Sequence, residues 1–387
     1  MTFQIMIHKP TNFDEFRRRA KRRLPKFLFE YIDGGSYQEI TLHRNVNSLS
    51  RISLKQRVLR NVENFDPTAK ILDQNLDLPI ILGPVGIAGM NARRGEIQAA
   101  KAALSHNVPF VLSTVSACSL EEVVSATSCP PWFQLYIMRD RGFLAEMLSR
   151  AKNAECPVLI LTVDMPVPGT RYRDYRSGLA GADGFFGSAR RFTQAMLKPR
   201  WAWDVGLNGK PHSLGNMRSI LGDHQPLSDF MAWMRNNFDP SVTWDNLRYL
   251  RENWSGKLLI KGIMEPEDAL LAAKHGVDGI IVSNHGGRQL DGVPATADVL
   301  PRIAKTLDGK VTLLADGGVR SGLDVLRMLA LGADSVLLGR AWVYALAADG
   351  ERGVNTMLKT LKDELRVAMA LTGASSLSDI DISLIHH

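Results

Sequence analysis

Short apolar runs recur along the chain at a near-constant interval. They are LPIILGPVG (78–86), VPFVLSTVS (108–116), PWFQLYI (131–137), PVLILTVDM (157–165), KLLIKGI (257–263), GIIVSN (279–284), KVTLLADGG (310–318) and DSVLLGR (334–340). Each has strand length and β-branched enrichment, and several end in Gly or a polar residue. Between them lie helical patterns such as GEIQAAKAALSH (95–106), RGFLAEMLSRAK (141–152), EPEDALLAAKHG (265–276) and SGLDVLRMLALG (321–332). Strands apolar on both faces belong to a parallel sheet covered by helices. The start-to-start spacings are 30, 23, 26, 100, 22, 31 and 24 residues. Eight βα units of this length predict an α/β fold, a (β/α)8 barrel. The competing doubly wound sheet loses support because no GxGxxG follows the first strand.

The pattern predicts one domain over 1–387, with an N-terminal cap (1–77), the barrel (78–347) and a C-terminal helix and tail (348–387) whose helix covers 354–372. The 100-residue interval predicts a long insertion after strand four, placed at 166–256. Loops of that length are functional or mobile. This one carries Phe185, Phe186, Trp201, Trp203 and Trp233, and its stretch GLAGADGFFGS (178–188) reads as flexible.

In a barrel, reactive groups sit at the C-terminal strand ends. Those ends supply Pro84, Val85 and Gly86, Ser113 and Thr114, Gln134 and Tyr136, Thr162 and Asp164, Lys261, His285 with Arg288, Asp316, Gly317 and Gly318, and Gly339 with Arg340. A packed barrel requires none of these polar groups. The glycines of DGG and LGR let backbone N–H groups approach an anion at the last two strands, with Arg320 and Arg340 adding charge. That suits a phosphate monoester, either a flavin mononucleotide or a phosphosugar. SNHGGRQLDG (283–292) places an imidazole beside a guanidinium. A carboxylate between them would accept bidentate bonds from Arg288. His285 would then reach a neighbouring hydroxyl as general base, with Asp164 fixing its tautomer.

SNHGGRQLD closely resembles the signature of the FMN-dependent α-hydroxy-acid dehydrogenase/oxidase family. The resemblance extends through LPKFLFEYIDGG (24–35), PVGIAGMNARRGE (84–96), WFQLY (132–136), LTVDMPVPGTRYRD (161–174), IKGI (260–263), LADGGVRSGLDVLRMLALGAD (314–334) and LLGRA (337–341). It is strongest to the bacterial, quinone-linked L-lactate dehydrogenase branch, which WAWDVGLNGKPHSLGN (201–216) favours. The resemblance implies that Tyr31 and Tyr136 hydrogen-bond the substrate and that Arg171 and Arg288 bind its carboxylate. His285 would take a proton by either a hydride or a carbanion path, oriented by Asp164. For FMN it implies Pro84, Val85 and Gly86 near the ring, and Ser113, Gln134 and Thr162 at the polar edge of the ring. Lys261 would sit near N1/O2, where reduced flavin carries negative charge, and residues 316–320 and 339–340 at the phosphate.

Two positions depart from oxidases resembling glycolate oxidase: Val115 where they have Trp, and Gly86 where they have Ala. Both change the room around the substrate side chain and flavin N5. The implied activity is oxidation of an L-2-hydroxy acid, L-lactate foremost, with electrons passing to a membrane quinone. A larger 2-hydroxy acid such as mandelate, or oxygen as acceptor, are the alternatives. An isomerase would not need paired carboxylate-binding arginines, and a non-catalytic flavin barrel would have lost His285 or Arg288. The resemblance further implies a homotetramer, peripheral at the cytoplasmic face of the inner membrane.

Composition sharpens this picture. Forty-seven basic residues against 40 acidic give a net charge of +7. The excess is concentrated in RRRAKRR (17–23) and in 171–218, where nine Lys/Arg face three acids. Such charge either covers solvated faces or meets an anionic surface, and lipid is favoured over nucleic acid because no nucleic-acid-binding motif accompanies it. No apolar stretch reaches the roughly 18 residues of a spanning helix. Three cysteines without CxxC spacing predict no disulfide framework and no metal site. The opening MTFQIMIHKPTNFDEF lacks the features of a secretory leader, and Met6 is an alternative start.

Overall fold

A computed structural model describes residues 10–181, 184–210, 212–221 and 236–386. Met6 and Trp233 lie outside the described residues. The barrel strands are β1 (Ile80–Leu82), β2 (Val111–Ser113), β3 (Trp132–Leu135), β4 (Val158–Thr162), β5 (Lys257–Ile263), β6 (Gly279–Val282), β7 (Thr312–Ala315) and β8 (Ser335–Leu338). All neighbours pair in parallel, β8 lies beside β1, and a parallel bridge between Leu82 and Phe110 closes the circle. This is the expected (β/α)8 barrel.

The strands read as continuous apolar runs because both faces are buried, in two separate cores. Ile81, Val111, Val158, Ile160, Leu259, Ile281, Leu314 and Leu337 fill the barrel. Their neighbours Ile80, Leu82, Leu112, Leu159 and Leu258 face the helices. A hairpin of Ala69–Ile71 and Gln74–Leu76 plugs the N-terminal end: Ala69, Ile71 and Leu76 join the inner core, and the Trp132 indole donates to Gln74 at 3.2 Å. The other end is left for chemistry.

Over that open end lies the cap, helices α1 (Phe13–Arg23), α2 (Lys26–Asp33) and α3 (Ile40–Arg51). Asp291, just beyond β6, receives the Thr41 backbone N–H at 2.8 Å and ties α3 to the barrel. Asp33 is the buried anchor. Arg17 and Arg173 donate to it at 2.8 and 2.7 Å, and so does the Tyr344 hydroxyl. Cap, insertion and last helix thus meet at one carboxylate.

Two expectations need correction. The C-terminal helix begins at Arg340 and runs to Thr372, broken at Asp349 and Gly350, where the backbone leaves the helical region. The insertion is largely helical rather than open loop. Tyr172–Ser177 and Gly184–Met196 are helices, so the stretch expected to be flexible already enters a helix at Gly184, while Ala182 and Asp183 lie outside the described residues. Glycine count misled here. The helix is held by tertiary bonds, Gln194 accepting from the Phe27 backbone at 2.9 Å and Arg191 donating to the Gly178 carbonyl at 3.0 Å. Helix Trp244–Asn253 stands directly before β5, as the barrel's own fourth helix would.

Candidate active site

The strand ends and the cap enclose a cavity of about 1130 Å³ free of protein atoms, open to solvent. Of the residues expected at the site, all but Asp164 and Gln134 line it. Those two stand directly behind the wall and act on residues that do line it.

Asp164 supports His285. The imidazole Nδ1 lies 2.9 Å from Asp164 Oδ1, which leaves Nε2 for the cavity. A bulge in β5 makes this approach possible. Gly262 has φ +112, and a Cβ there would stand 2.6 Å from the Asp164 Cβ. Burial by itself would raise the Asp164 carboxyl, but the charges of His285 and Lys261 and the hydrogen bond hold it below the ordinary range.

His285 itself has φ +56, a left-handed conformation in which histidine is enriched among non-glycine residues. The turn continues left-handed through Gly286 and Gly287, and a Cβ at Gly287 would meet the Leu42 backbone at 2.5 Å. Asn284 locks the turn from below. Its amide and that of Asn45 on α3 exchange two hydrogen bonds of 2.8 and 2.9 Å.

Next to the imidazole, Arg288 donates to the carbonyls of Tyr31 and Gly34, and its guanidinium lies 4.8 Å from the centre of the Tyr31 ring. Arg171 lies 5.5 Å from the same ring and is held by Asp174 at 2.8 Å. Among the described residues Arg288 has no carboxylate of its own. Burial, then the charge of Arg171, lower its pKa to about 10. A buried and a half-buried guanidinium converging on one aromatic ring form a site short of one anion. The neighbouring Tyr136 phenol is pushed up by burial and by Asp164, so it stays a hydrogen-bond donor.

On the opposite wall Lys261 sits among acceptors. Its ammonium donates to Ser283 Oγ at 2.7 Å and lies 3.1 Å from Asp316. Burial opposes the charge, yet Asp316 and Asp164 raise the lysine and keep it cationic. Its sequence position groups Asp316 with the phosphate ligands. Its carboxylate faces Lys261 instead, because an anion at the end of β7 is drawn to the buried ammonium. Gln134 Oε1 accepts from Ser113 at 2.9 Å, which turns its amide outward. Gln134 Nε2, Thr162 Oγ1 and Asp316 Oδ1 are buried without a partner among the described residues. Orphaned polar groups of this kind call for a polar ligand.

Beyond β8 the long helix starts at Arg340. Gly339 lines the cavity and a Cβ there would meet nothing within 4 Å, so the start of the helix is open to a ligand. Arg340 spends three donors on the carbonyls of Ile32, Gly286 and Gly34 at 2.8–3.0 Å, so it clamps the cap as well as charging the site. Burial, with the charge of nearby Arg320, lowers its pKa to about 10. Arg320 lies 4.2 Å from the centre of the Phe13 ring, and burial lowers it too.

Sequence reasoning assigned no role to Ser283 or Asp174. Ser283 Oγ receives Lys261, donates to Asp316 at 2.9 Å and accepts the His285 backbone N–H at 3.0 Å. Its only signal was its place at the head of SNHGGR. Among the described residues no cluster of His, Cys, Asp and Glu could hold a metal ion.

The model of the FMN-dependent dehydrogenase family matches residues 20–387. The chain belongs to this family. It is 55% identical to an L-lactate dehydrogenase of Acinetobacter baylyi over 370 residues, 96% of each chain. It is 56% identical to one from Pseudomonas paraeruginosa over 366 residues, 95% of each. Among solved structures, the monotopic membrane protein (S)-mandelate dehydrogenase superposes with a TM-score of 0.91 at 33% identity, covering 98% of this chain and all of that one. A mandelate oxidase with (S)-4-hydroxymandelic acid gives 0.83 at 33% identity, with 96% and 97% covered. Family membership makes this chain an FMN-dependent oxidoreductase.

Proposed function

We propose that this enzyme oxidises L-lactate to pyruvate, with a membrane quinone as final electron acceptor. The observation that carries the reading is the His285–Asp164 pair facing Arg288 and Arg171 across one cavity.

The residues fit FMN. Gln134 Nε2 and Thr162 Oγ1 are unspent at one side of the cavity, and Asp316 Oδ1 is an unspent acceptor for hydroxyls. Ser113 and Lys261 line the same cavity and would meet the polar edge of the ring, with Pro84, Val85 and Gly86 against its face. The Gly339–Arg340 helix start, the backbone of Gly317 and Gly318, and Arg320 would hold the phosphate. When bound, FMN supplies an acceptor for an electron pair.

Everything else falls to the chain. The substrate carboxylate answers the anion deficit at Arg288 and Arg171. Tyr31 and Tyr136 hold its oxygens and fix Cα relative to His285. The neutral imidazole, its Nδ1–H on Asp164, takes a substrate proton at Nε2. Asp164 then stabilises the resulting cation.

The anaerobic flavin spectrum with L-lactate tests this. Bleaching is expected, with slow recovery in air and fast recovery with a quinone analogue; a spectrum unchanged by L-lactate refutes the assignment. A second reading, a larger 2-hydroxy acid, is favoured by the likeness to (S)-mandelate dehydrogenase. The ratio of kcat/KM for L-lactate and (S)-mandelate separates the two.

Delivery to quinone implies peripheral attachment, at the cytoplasmic face of the inner membrane. No helix among the described residues is long and apolar enough to cross a bilayer. Helix Gly184–Met196 offers an apolar edge instead, with Phe185 and Phe186 81% and 86% exposed. Trp203 is exposed beside it, whereas Trp201 is buried and donates to the Met90 carbonyl at 2.8 Å. The inner face of this helix braces the cap, so point substitution is the right test. Phe185→Ser with Phe186→Ser is expected to release the enzyme from vesicles and spare reduction by lactate. The homotetramer belongs to the same reading, and sedimentation equilibrium tests it.

A further inference from the structure

The two basic segments, 17–23 and 171–218, meet in a single groove away from the active site. Arg19, Arg22 and Arg23 of α1, Lys198 and Arg200 of the insertion, and Arg352 of the C-terminal helix line it. It holds about 1920 Å³ free of protein atoms, open to solvent, and among the described residues it shares no lining residue with the active-site cavity.

Three distant chain regions hold these cations in place. Lys198 donates to the carbonyls of Lys21 and Arg22 at 3.3 and 2.8 Å, pinning the insertion to the C-terminal end of α1. Arg23 reaches Asp204 at 2.6 Å, and Arg352 reaches Asp349 at 2.7 Å. Asp349 is the only acid among the described lining residues. That leaves Arg22 and Arg200 without a carboxylate among the described residues, and like charges on one concave wall repel unless an anion lies between them. Guanidinium forks match phosphate oxygens in particular.

The rim says which phosphate. Leu197 lines the groove and is 73% exposed. It continues the apolar edge formed by exposed Met196, Phe192, Phe186 and Phe185 along helix Gly184–Met196. A free anion would make no use of that edge, whereas an acyl chain would lie along it.

The geometry points to a binding site for the headgroup of an anionic phospholipid, its phosphodiester among Arg22, Arg200 and Arg352 and its chains over Leu197 and Met196. The site rests on the reading that the enzyme attaches to a bilayer, and adds to it a lipid preference.

The test uses the FMN-loaded enzyme at low salt, where screening is weak. Calorimetry measures binding of water-soluble dihexanoyl phosphatidylglycerol, dihexanoyl phosphatidylcholine and inorganic phosphate. Sedimentation measures binding to vesicles of phosphatidylcholine alone or mixed with phosphatidylglycerol. One variant carries Arg22→Gln, Arg200→Gln and Arg352→Gln; a control carries the same charge change elsewhere, as Arg302→Gln, Lys305→Gln and Lys310→Gln. At about five-fold per cation, the groove variant should bind the soluble phosphatidylglycerol roughly a hundredfold more weakly. The control should stay near wild type, and all three should reduce a soluble dye at equal rates. The Phe185→Ser, Phe186→Ser protein should lose both kinds of vesicle but keep the soluble phosphatidylglycerol. Wild type that binds the soluble lipid in the groove but no vesicle refutes membrane attachment and upholds the site. Equal losses in groove variant and control, or inorganic phosphate bound as tightly as phosphatidylglycerol, overturns the site.

Discussion

Asp164→Asn isolates the electrostatic part of the base. Asparagine has the shape of aspartate, so the close packing against Gly262 survives and the variant should fold. Two things change. The charge that stabilises the imidazolium is gone, and the new amide can donate to Nδ1, which drives the remaining proton to Nε2, where a base must be empty. For unit charges 4 Å apart at an effective dielectric of about 20, the lost attraction is about 4 kcal/mol. If half to all of it is expressed in the transition state, flavin reduction should slow roughly 30- to 1000-fold. Anaerobic stopped-flow at saturating L-lactate reads this rate directly. The oxidised flavin spectrum and the melting temperature report whether the cofactor and the fold are intact. A variant that keeps both and reduces its flavin within about three-fold of wild type would show that Asp164 neither charges nor orients His285, and the proposed role of the pair would fall.

Arg288→Lys keeps a charge but cannot reach the carbonyls of Tyr31 and Gly34 while also presenting a fork. Binding of L-lactate should weaken by about 1.5–3 kcal/mol, and that of the neutral amide by less; equal losses count against a carboxylate role. At Gly86 an added Cβ would stand 2.8 Å from Val115 Cγ2. Gly86→Ala should therefore cost about 1–3 kcal/mol in overpacking, and Val115→Ala in the same chain should recover most of it in thermal melts. For Asp33, burial would raise the carboxyl, but hydrogen bonds from Arg17, Tyr344 and Arg173 hold it well below the usual carboxylate range. With the folded value below the unfolded value of about 3.9, its contribution is present above that pH and is lost as pH falls toward the folded value. The melting-temperature gap between wild type and Asp33→Asn should be widest near neutrality and shrink below about pH 4; a gap constant with pH would remove Asp33 as the anchor.

The sequence by itself determined the barrel and the roster of its mouth. Strands buried on both faces must be apolar throughout, so eight such runs at a regular interval leave little choice of architecture. Closure then brings every strand end to one rim, which is why residues as far apart as Pro84 and Arg340 could be named together before any contact was known. The tertiary structure decided how those residues are spent. Asp316 turns to Lys261, Ser283 joins base and lysine walls, and Arg340 clamps the cap, because each bond is made to a group whose distance the local pattern does not encode. The insertion shows the same limit. Its glycines suggested a loose loop, yet its helix is held by Gln194 on the Phe27 backbone, and nothing in local spacing reports a contact more than 150 residues away. Charge was legible as two basic runs, but their meeting in one groove depends on Lys198 reaching the end of α1. Periodicity records which faces are buried; the partners of each polar group are set only when the chain closes on itself.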